Sequence, residues 1–238
     1  MLKEENMLIK TKQIKLETQG NVWHTTADIC VVGAGMAGIT AALVAARQGK
    51  KVILIDSQPQ LGGQTFNSNI GCFCGFYSNG KNGYRLTHII ADEMFKDLND
   101  LNGLYERPVV THTRAPYYNE TIFLRWVENK IQSEHNIQVL LGASVRKVNK
   151  SGSRRIQSIE AATRFGDVIV TADGFIDASG DAIIAWLAGI PCNVPEKGAV
   201  LGSQMFILEG IDYSVPTPSE VELVERLTIK GEEYGLKR

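Results

Sequence analysis

The residues with the clearest chemistry in this 238-residue chain are Gly33-Ala34-Gly35-Met36-Ala37-Gly38, a GxGxxG run. Alone, such a run is a weak signal, because glycine-rich turns are common. Its setting makes it specific: the apolar stretch DICVVG leads into it and an alanine-rich helical stretch leads out. Each glycine then has a physical task. Gly33 permits a tight turn, Gly35 has no Cβ and so lets a diphosphate approach the backbone, and Gly38 lets the helix pack closely on a sheet. A helix opening here points free N–H groups and its positive dipole end at phosphate charge. Asp56 closes the next apolar stretch, KVILID. A carboxylate there can accept hydrogen bonds from both hydroxyls of an adenosine ribose, and it repels a 2′-phosphate. Ser57 follows it where a 2′-phosphate site would call for arginine. The two motifs together predict a dinucleotide site without the extra phosphate.

A second constellation is Cys72 and Cys74 in NIGCFCGFYSNG. A thiolate is a nucleophile and a redox group, but only where its pKa is lowered, which sequence does not show. The plainer alternative is two small residues in a loop. The chain has four cysteines, the others being Cys30 and Cys192, with no CxxC and no Cys/His spacing suited to zinc. Neither a metal site nor a disulfide scaffold is expected, and reduced thiols in a cytoplasmic protein are the simpler reading. A net charge of −1 gives no sign of a nucleic-acid partner or an anionic membrane surface. The first 26 residues lack the roughly 7–15-residue apolar run of a secretory signal. Residues 27–46 are apolar, but their central glycines and short length argue against a membrane span.

The elements that must hold these residues follow from periodicity. DICVVG and KVILID read as buried parallel strands, and residues 37–48 as the helix between them, ending at Gly49: a βαβ unit. Residues 57–83 form a long Gly/Asn/Ser-rich loop. Helices are predicted over 84–99 and 119–134, the second capped by Asn119. From 137 the period becomes two: IQVLL, SVRKV, RIQSIEAATRF and VIVTA, with breaks at Ser151-Gly152-Ser153 and Gly166-Asp167. DGFIDASGD then reads as a further buried strand running into a glycine turn, with a short helix over 182–189. Pro191 and Pro195 suggest a boundary, VLGSQMFILEGI a strand beyond it, and 218–236 an amphipathic helix. Ile14-Lys15-Leu16-Glu17 could add an edge strand. The expected division is an arm over 1–26, a dinucleotide-binding domain over 27–192, and an incomplete lobe over 193–238.

Beyond the βαβ unit, Leu61-Gly62-Gly63-Gln64 resembles the second glycine pair of the large FAD-binding family that includes glutathione reductase and succinate dehydrogenase. In that family the pair closes over the FAD, a β-meander follows, and a later strand ends in Ala-Thr-Gly. Residues 137–171 would be the meander, and Ala178-Ser179-Gly180 the strand end, with serine for threonine. Asp177 to Asp181 resembles the Asp-Ala-Thr-Gly-Asp of the branch related to the flavoprotein subunit of heterodisulfide reductase. The resemblance implies an α/β fold: a Rossmann-like FAD-binding domain with a central parallel sheet and an inserted β-meander, plus an incomplete second lobe. It implies FAD held by Gly33 to Gly38, Asp56, Ser57, Gly62, Gly63, Gln64, Ser179, Gly180 and Asp181, with the backbone at Val145 against the adenine. Cys72 and Cys74 become the catalytic candidates, because the loop after the glycine pair leads toward the flavin ring in related proteins.

The resemblance also sets limits. Thr65 and Phe66 stand where the disulfide reductases of the family carry their first redox cysteine, and a CxC disulfide would close a small strained ring, so that activity is disfavoured. The CxxCxxC iron–sulfur run of heterodisulfide reductase relatives is absent. Tyr84, Arg85, His112, Arg114 and Tyr117 are further contact candidates, while Arg146, Lys147 and Lys150 read as a solvated strand face and Trp126 and Trp186 as core. No late Gly-Asp return motif follows residue 200, so a truncated product, a split enzyme or a chain completed by a partner is expected. The implied function is an FAD-dependent oxidoreductase acting on a small organic substrate. The alternatives are an FAD-carrying subunit without turnover and an NAD-dependent dehydrogenase.

Overall fold

A computed structural model describes residues 21–80, 83–105, 115–193, 210, 212, 214 and 218–235. In chain order the elements are β1 (Val22–Val32), α1 (Met36–Arg47), β2 (Val52–Asp56), α2 (Gln64–Asn67), α3 (Ile90–Asp100), β3 (Leu104–Tyr105), β4 (Tyr117–Tyr118), α4 (Glu120–Ser133), β5 (Ile137–Leu141), β6 (Ser144–Ser151), β7 (Arg155–Thr163), β8 (Gly166–Asp177), α5 (Ile183–Leu187) and α6 (Glu220–Glu233). A six-stranded sheet runs β5-β2-β1-β8-β7-β6. Its β5, β2, β1 and β8 are parallel, and β8-β7-β6 form an antiparallel meander. Helical crossovers join β1 to β2 and β2 to β5, whereas the chain reaches the parallel strand β8 through the meander.

The apolar strands are buried on both faces, and their period of two divides the core. Val31, Val52 and Leu54 point to one cluster, which α1, α3 and α4 complete with Ile39, Leu43, Met94, Leu98, Phe123 and Val127. Cys30, Val32, Ile53 and Ile55 point to the other, with Ile159, Val168 and Val170 of the meander and Ile184 of α5. Asn119 caps α4 as expected, its side chain accepting from Ile122 N–H at 3.1 Å. A network of Arg47, Glu93, Glu134, Lys130 and Asp97 ties α1, α3 and α4 together at the surface.

Several local expectations change. IQVLL is not part of the meander: as β5 it pairs in parallel with β2, because α4 returns the chain to that edge. VIVTA and DGFID are one strand, β8, long enough to pair with β7 and along the whole of β1. That partner draws β1 back to Val22, so the strand begins before DICVVG. The β7–β8 turn lies at Arg164-Phe165, with Thr163 paired to Gly166. Gly166 starts β8 instead, where a Cβ would lie 2.2 Å from the Asn21 carbonyl oxygen. The helix expected from 84 begins at Ile90, because Tyr84 to Leu86 pair back onto Phe76 to Ser78 through Leu86 N–H to Phe76 O and Ser78 N–H to Tyr84 O. Trp126 is core, but Trp186 is 63% exposed, since the one-turn α5 buries Ile184 on its other side. Ile14 to Glu17, His112, Arg114, Pro195 and nearly all of VLGSQMFILEGI lie outside the described residues. No helix among the described residues is long and apolar enough to cross a membrane.

Candidate functional site

The carboxyl ends of β1, β2, β5 and β8 lie along one edge of the sheet, and the chain runs outward from β1 in both directions. In open parallel sheets that arrangement opens a crevice for ligands beyond the strand ends. Here it has a volume of about 260 Å³. Val32 and Gly33 enter it from β1, Asp56 and Ser57 from β2, Ala143 to Val145 from the segment after β5, and Ser179, Asp181 and Ile183 from the turn after β8. Residues separated by more than a hundred positions in the sequence therefore share one wall. Asp56, Ser57, Val145, Ser179 and Asp181, singled out separately, are brought together.

The three glycines of the first turn differ in what the protein itself asks of them. Gly33 has φ +104°, and a Cβ on it would lie 2.2 Å from the Ala178 carbonyl oxygen. A Cβ on Gly38 would lie 1.7 Å from the Gly33 oxygen and 3.3 Å from Ala178 Cβ, so turn, helix and β8 exit crowd together there. Gly35 is otherwise: its φ is −73°, and a Cβ would meet nothing nearer than Gly63 Cα at 3.9 Å. The space in front of Gly35 is left open by the fold. Gly35 is also the N-cap of α1, with no side chain capping it and no acidic residue in the first turn. The first-turn N–H groups, beginning at Met36 and Ala37, therefore face outward at the positive end of the helix dipole.

The second glycine pair closes against this turn. Gly62 N–H donates to the Ala34 carbonyl oxygen at 2.9 Å, and Gly35 and Gly62 form a parallel bridge. A Cβ on Gly63 would lie 2.7 Å from Gly35 Cα. Both glycines have positive φ, +105° and +54°, which suits residues without a side chain. Gln64 begins the one-turn α2 and is exposed.

Asp56 has a second task that spacing did not reveal. Its Oδ2 accepts from Ala34 N–H at 2.5 Å and its Oδ1 from Gln58 N–H at 2.7 Å. The carboxylate thus pins the glycine turn to the end of β2. Each oxygen keeps a further acceptor position, so the group can hold the turn and still receive a hydroxyl from the crevice.

At the end of β8, Asp177 organises the turn that carries Ser179 and Asp181, a role the sequence motif does not single out. Its Oδ1 accepts from Ser179 Oγ at 2.6 Å, and its Oδ2 from Ile184 N–H at 2.8 Å and Ala185 N–H at 3.1 Å. Burial pushes its carboxyl up, but the bonds from Ser179, Ala185 and Ile184 outweigh that and hold it below its ordinary value. Ser179 Oγ in turn accepts from Ile183 N–H at 3.0 Å, as a threonine hydroxyl could. Gly180, at φ +83°, completes the turn. The signal for Asp177 was its place at the head of the same five-residue motif.

The cysteine loop stands apart from this crevice, and neither thiol lines it. Phe73 between them is buried, stacked on Tyr118 at 4.3 Å and edge-on to Phe123 at 5.5 Å. Tyr118, pushed up to about 12 chiefly by burial, donates its hydroxyl to the Thr65 carbonyl oxygen at 2.5 Å. Arg85 lies over the Phe95 ring at 4.8 Å and forms an ion pair with Asp92. Arg146 and Lys147 pair with Asp167 and Glu160, and Lys150 donates to the Ala188 carbonyl oxygen, as a solvated strand face would. Among the described residues no group of His, Cys, Asp and Glu is arranged to hold a metal ion.

These residues fit a diphosphate-linked adenine nucleotide. The open face of Gly35 is a cradle that a Cβ would begin to fill, and outward N–H groups meet it. A carboxylate suited to ribose hydroxyls stands at the β2 end, and Ala143, Val145 and Ile183 give the crevice an apolar side.

The comparisons with known proteins agree. The family model described as FAD dependent oxidoreductase matches residues 28–235. The inactive all-trans-retinol 13,14-reductase of Danio rerio is 40% identical over 75 residues, which is 30% of this chain and 12% of that protein. A fumarate reductase (cytochrome) of Shewanella frigidimarina is 43% identical over 56 residues, 24% of this chain and 10% of that protein. The chain thus spans only about a tenth of the length of these curated relatives. Among solved structures, p-nitrophenol 4-monooxygenase from Pseudomonas putida superposes with a TM-score of 0.50 at 11% identity, covering 69% of this chain and 44% of that one, which is a likeness of fold.

Proposed function

The chain belongs to the FAD dependent oxidoreductase family, and on that premise we propose that it carries FAD in the crevice at the carboxyl edge of its sheet and serves an oxidoreductase acting on a small organic substrate. The observation that carries this reading is the contrast among the three glycines. Gly33 and Gly38 are glycine because neighbouring backbone leaves no room, whereas Gly35 faces open space. A residue kept bare where the protein needs no room points to a ligand that does.

In this reading the outward N–H groups of α1 and the bare Gly35 receive the diphosphate. Gly62 and Gly63, packed on Gly35, form the second side of that cradle. Asp56 receives the ribose hydroxyls while its bond to Ala34 N–H keeps the turn in shape, and the backbone at Val145 meets the adenine. FAD, when bound, supplies the redox chemistry, and the chain supplies binding, orientation and electrostatics. The second glycine pair favours FAD over NAD, because a simple NAD site needs no such closure. Asp177 to Asp181 supports placement in the branch related to the heterodisulfide reductase flavoprotein. Substrate contacts are assigned to residues outside this crevice, from the segment after 193 or from another chain.

The test is an absorbance spectrum of the purified protein, with mass spectrometry of the cofactor released on denaturation. Flavin absorbance and a mass of FAD are expected. A colourless protein that binds NAD and takes up no FAD on reconstitution would refute the reading.

A further inference from the structure

Outside the crevice, the two thiols in the loop after the glycine pair are already in contact: Cys72 Sγ and Cys74 Sγ are 3.9 Å apart. An extended Cys-x-Cys segment puts both side chains on one face, about 6.5–7 Å apart along the strand, and this segment brings its sulfurs closer than that. Cys72 is held in a bridge to Tyr117, while Phe73 N–H donates to the Pro116 carbonyl oxygen. The chain turns at Cys74 and Gly75, the latter at φ +79°. The turn folds the second thiol back toward the first. Phe73 anchors the segment in the aromatic cluster of Phe76, Tyr118 and Phe123. Cys74 is exposed and Cys72 half-buried, so one sulfur is open to an external reagent and the other stands behind it.

We propose that Cys72 and Cys74 form a dithiol–disulfide couple that exchanges with low-molecular-weight disulfides. The Cys74 thiolate attacks one sulfur of the external disulfide, forming a mixed disulfide and releasing one small thiolate. The Cys72 thiolate then attacks Cys74 Sγ, closing the internal S–S bond and expelling the second small thiolate. The two protons of the protein thiols end on the two small thiols, so one disulfide is reduced as one is formed. Strain in so short a ring raises the reduction potential and makes the product easily reversed, which suits an exchanging couple more than a structural bridge. This proposal stands independently of the FAD reading.

The other thiols are separable. Cys30 is fully buried, and burial pushes it up to about 12, so it is inert in the folded protein. Cys192 is half-buried and is removed by Cys192→Ser. The experiment equilibrates the Cys192→Ser protein, anaerobically, in glutathione–glutathione disulfide mixtures of increasing ratio. It then alkylates free thiols under native conditions and reads intact mass and the peptide containing residues 72–74. The expected result is a species that has lost both alkylation sites, carries no glutathione, and regains both sites on return to reduced glutathione. Cys72→Ser and Cys74→Ser should each stop short of it, with Cys74 alone trapping more glutathione than Cys72 alone. A protein that stays fully alkylatable at every ratio would overturn the proposal. So would one that accumulates glutathione adducts without an internal disulfide.

Discussion

Replacing Gly35 by alanine separates a glycine kept for a ligand from one kept for the fold. The new Cβ would meet Gly63 Cα at 3.9 Å, an ordinary contact, and the backbone there is at φ −73°. The cost to folding is that of an alanine at an N-cap, about 0.5–1 kcal/mol, or a fall in Tm of roughly 1–4 °C for a chain of this size. The same methyl group stands where the diphosphate must approach. Overpacking of a close contact costs about 1–3 kcal/mol, which is roughly a 5- to 150-fold rise in the Kd for FAD. Gly38→Ala is the counterpart: its Cβ would sit 1.7 Å from the Gly33 oxygen, which no side-chain movement relieves. Roughly 4 kcal/mol or more of stability should go, and FAD binding with it. The assay is flavin titration by fluorescence, beside thermal unfolding of each apoprotein. A Gly35→Ala protein that folds and binds FAD with the parent Kd would refute the argument.

Asp56→Ala should destabilise the apoprotein by about 1.5–3 kcal/mol in urea unfolding, because Ala34 N–H loses a charged acceptor, and should weaken FAD binding as well. An unchanged midpoint would remove the pinning role. Tyr118→Phe keeps the stack on Phe73 but deletes the bond to the Thr65 carbonyl oxygen, and a loss of about 0.5–1.5 kcal/mol is expected from the same measurement. Phe73→Ala empties the centre of the aromatic cluster and should cost about 3–5 kcal/mol; a smaller effect would mean the loop is not anchored there. Glu93 is held below its ordinary range chiefly by Arg47, and Asp97 chiefly by Lys130. Their folded pKa values lie below the unfolded ones of about 4, so their stabilisation is complete above that pH and is lost as pH falls through the folded values. Unfolding free energy should therefore fall on acidification below about pH 4, less steeply in Glu93→Gln, and equal slopes would dismiss the network.

The glycine turns and the elements flanking them were legible because they are written in local code. A GxGxxG between an apolar strand and a helix constrains backbone geometry within a few residues, and the carboxylate at the next strand end follows from the βαβ repeat. Residues whose roles depend on distant partners were not legible. Asp56 was read as a ligand for ribose; its bond to Ala34 exists because β1 and β2 are neighbours. Trp186 looked like core because its neighbours in sequence are apolar, yet a one-turn helix buries a single side. IQVLL has the same alternation as the meander strands, and alternation does not say which edge a strand joins.

What the amino-acid order determined by itself was the pair of glycine turns, the buried parallel strands and the acid at the end of β2, since hydrophobic period and glycine placement act over a few residues. The tertiary structure decided which strand ends share a crevice, that Gly35 alone of the three glycines faces open space, and that the sulfurs of Cys72 and Cys74 touch. Those depend on sheet order and on chain folding back through Tyr117 and Tyr118, where the contacting groups are distant in sequence and only packing brings them together.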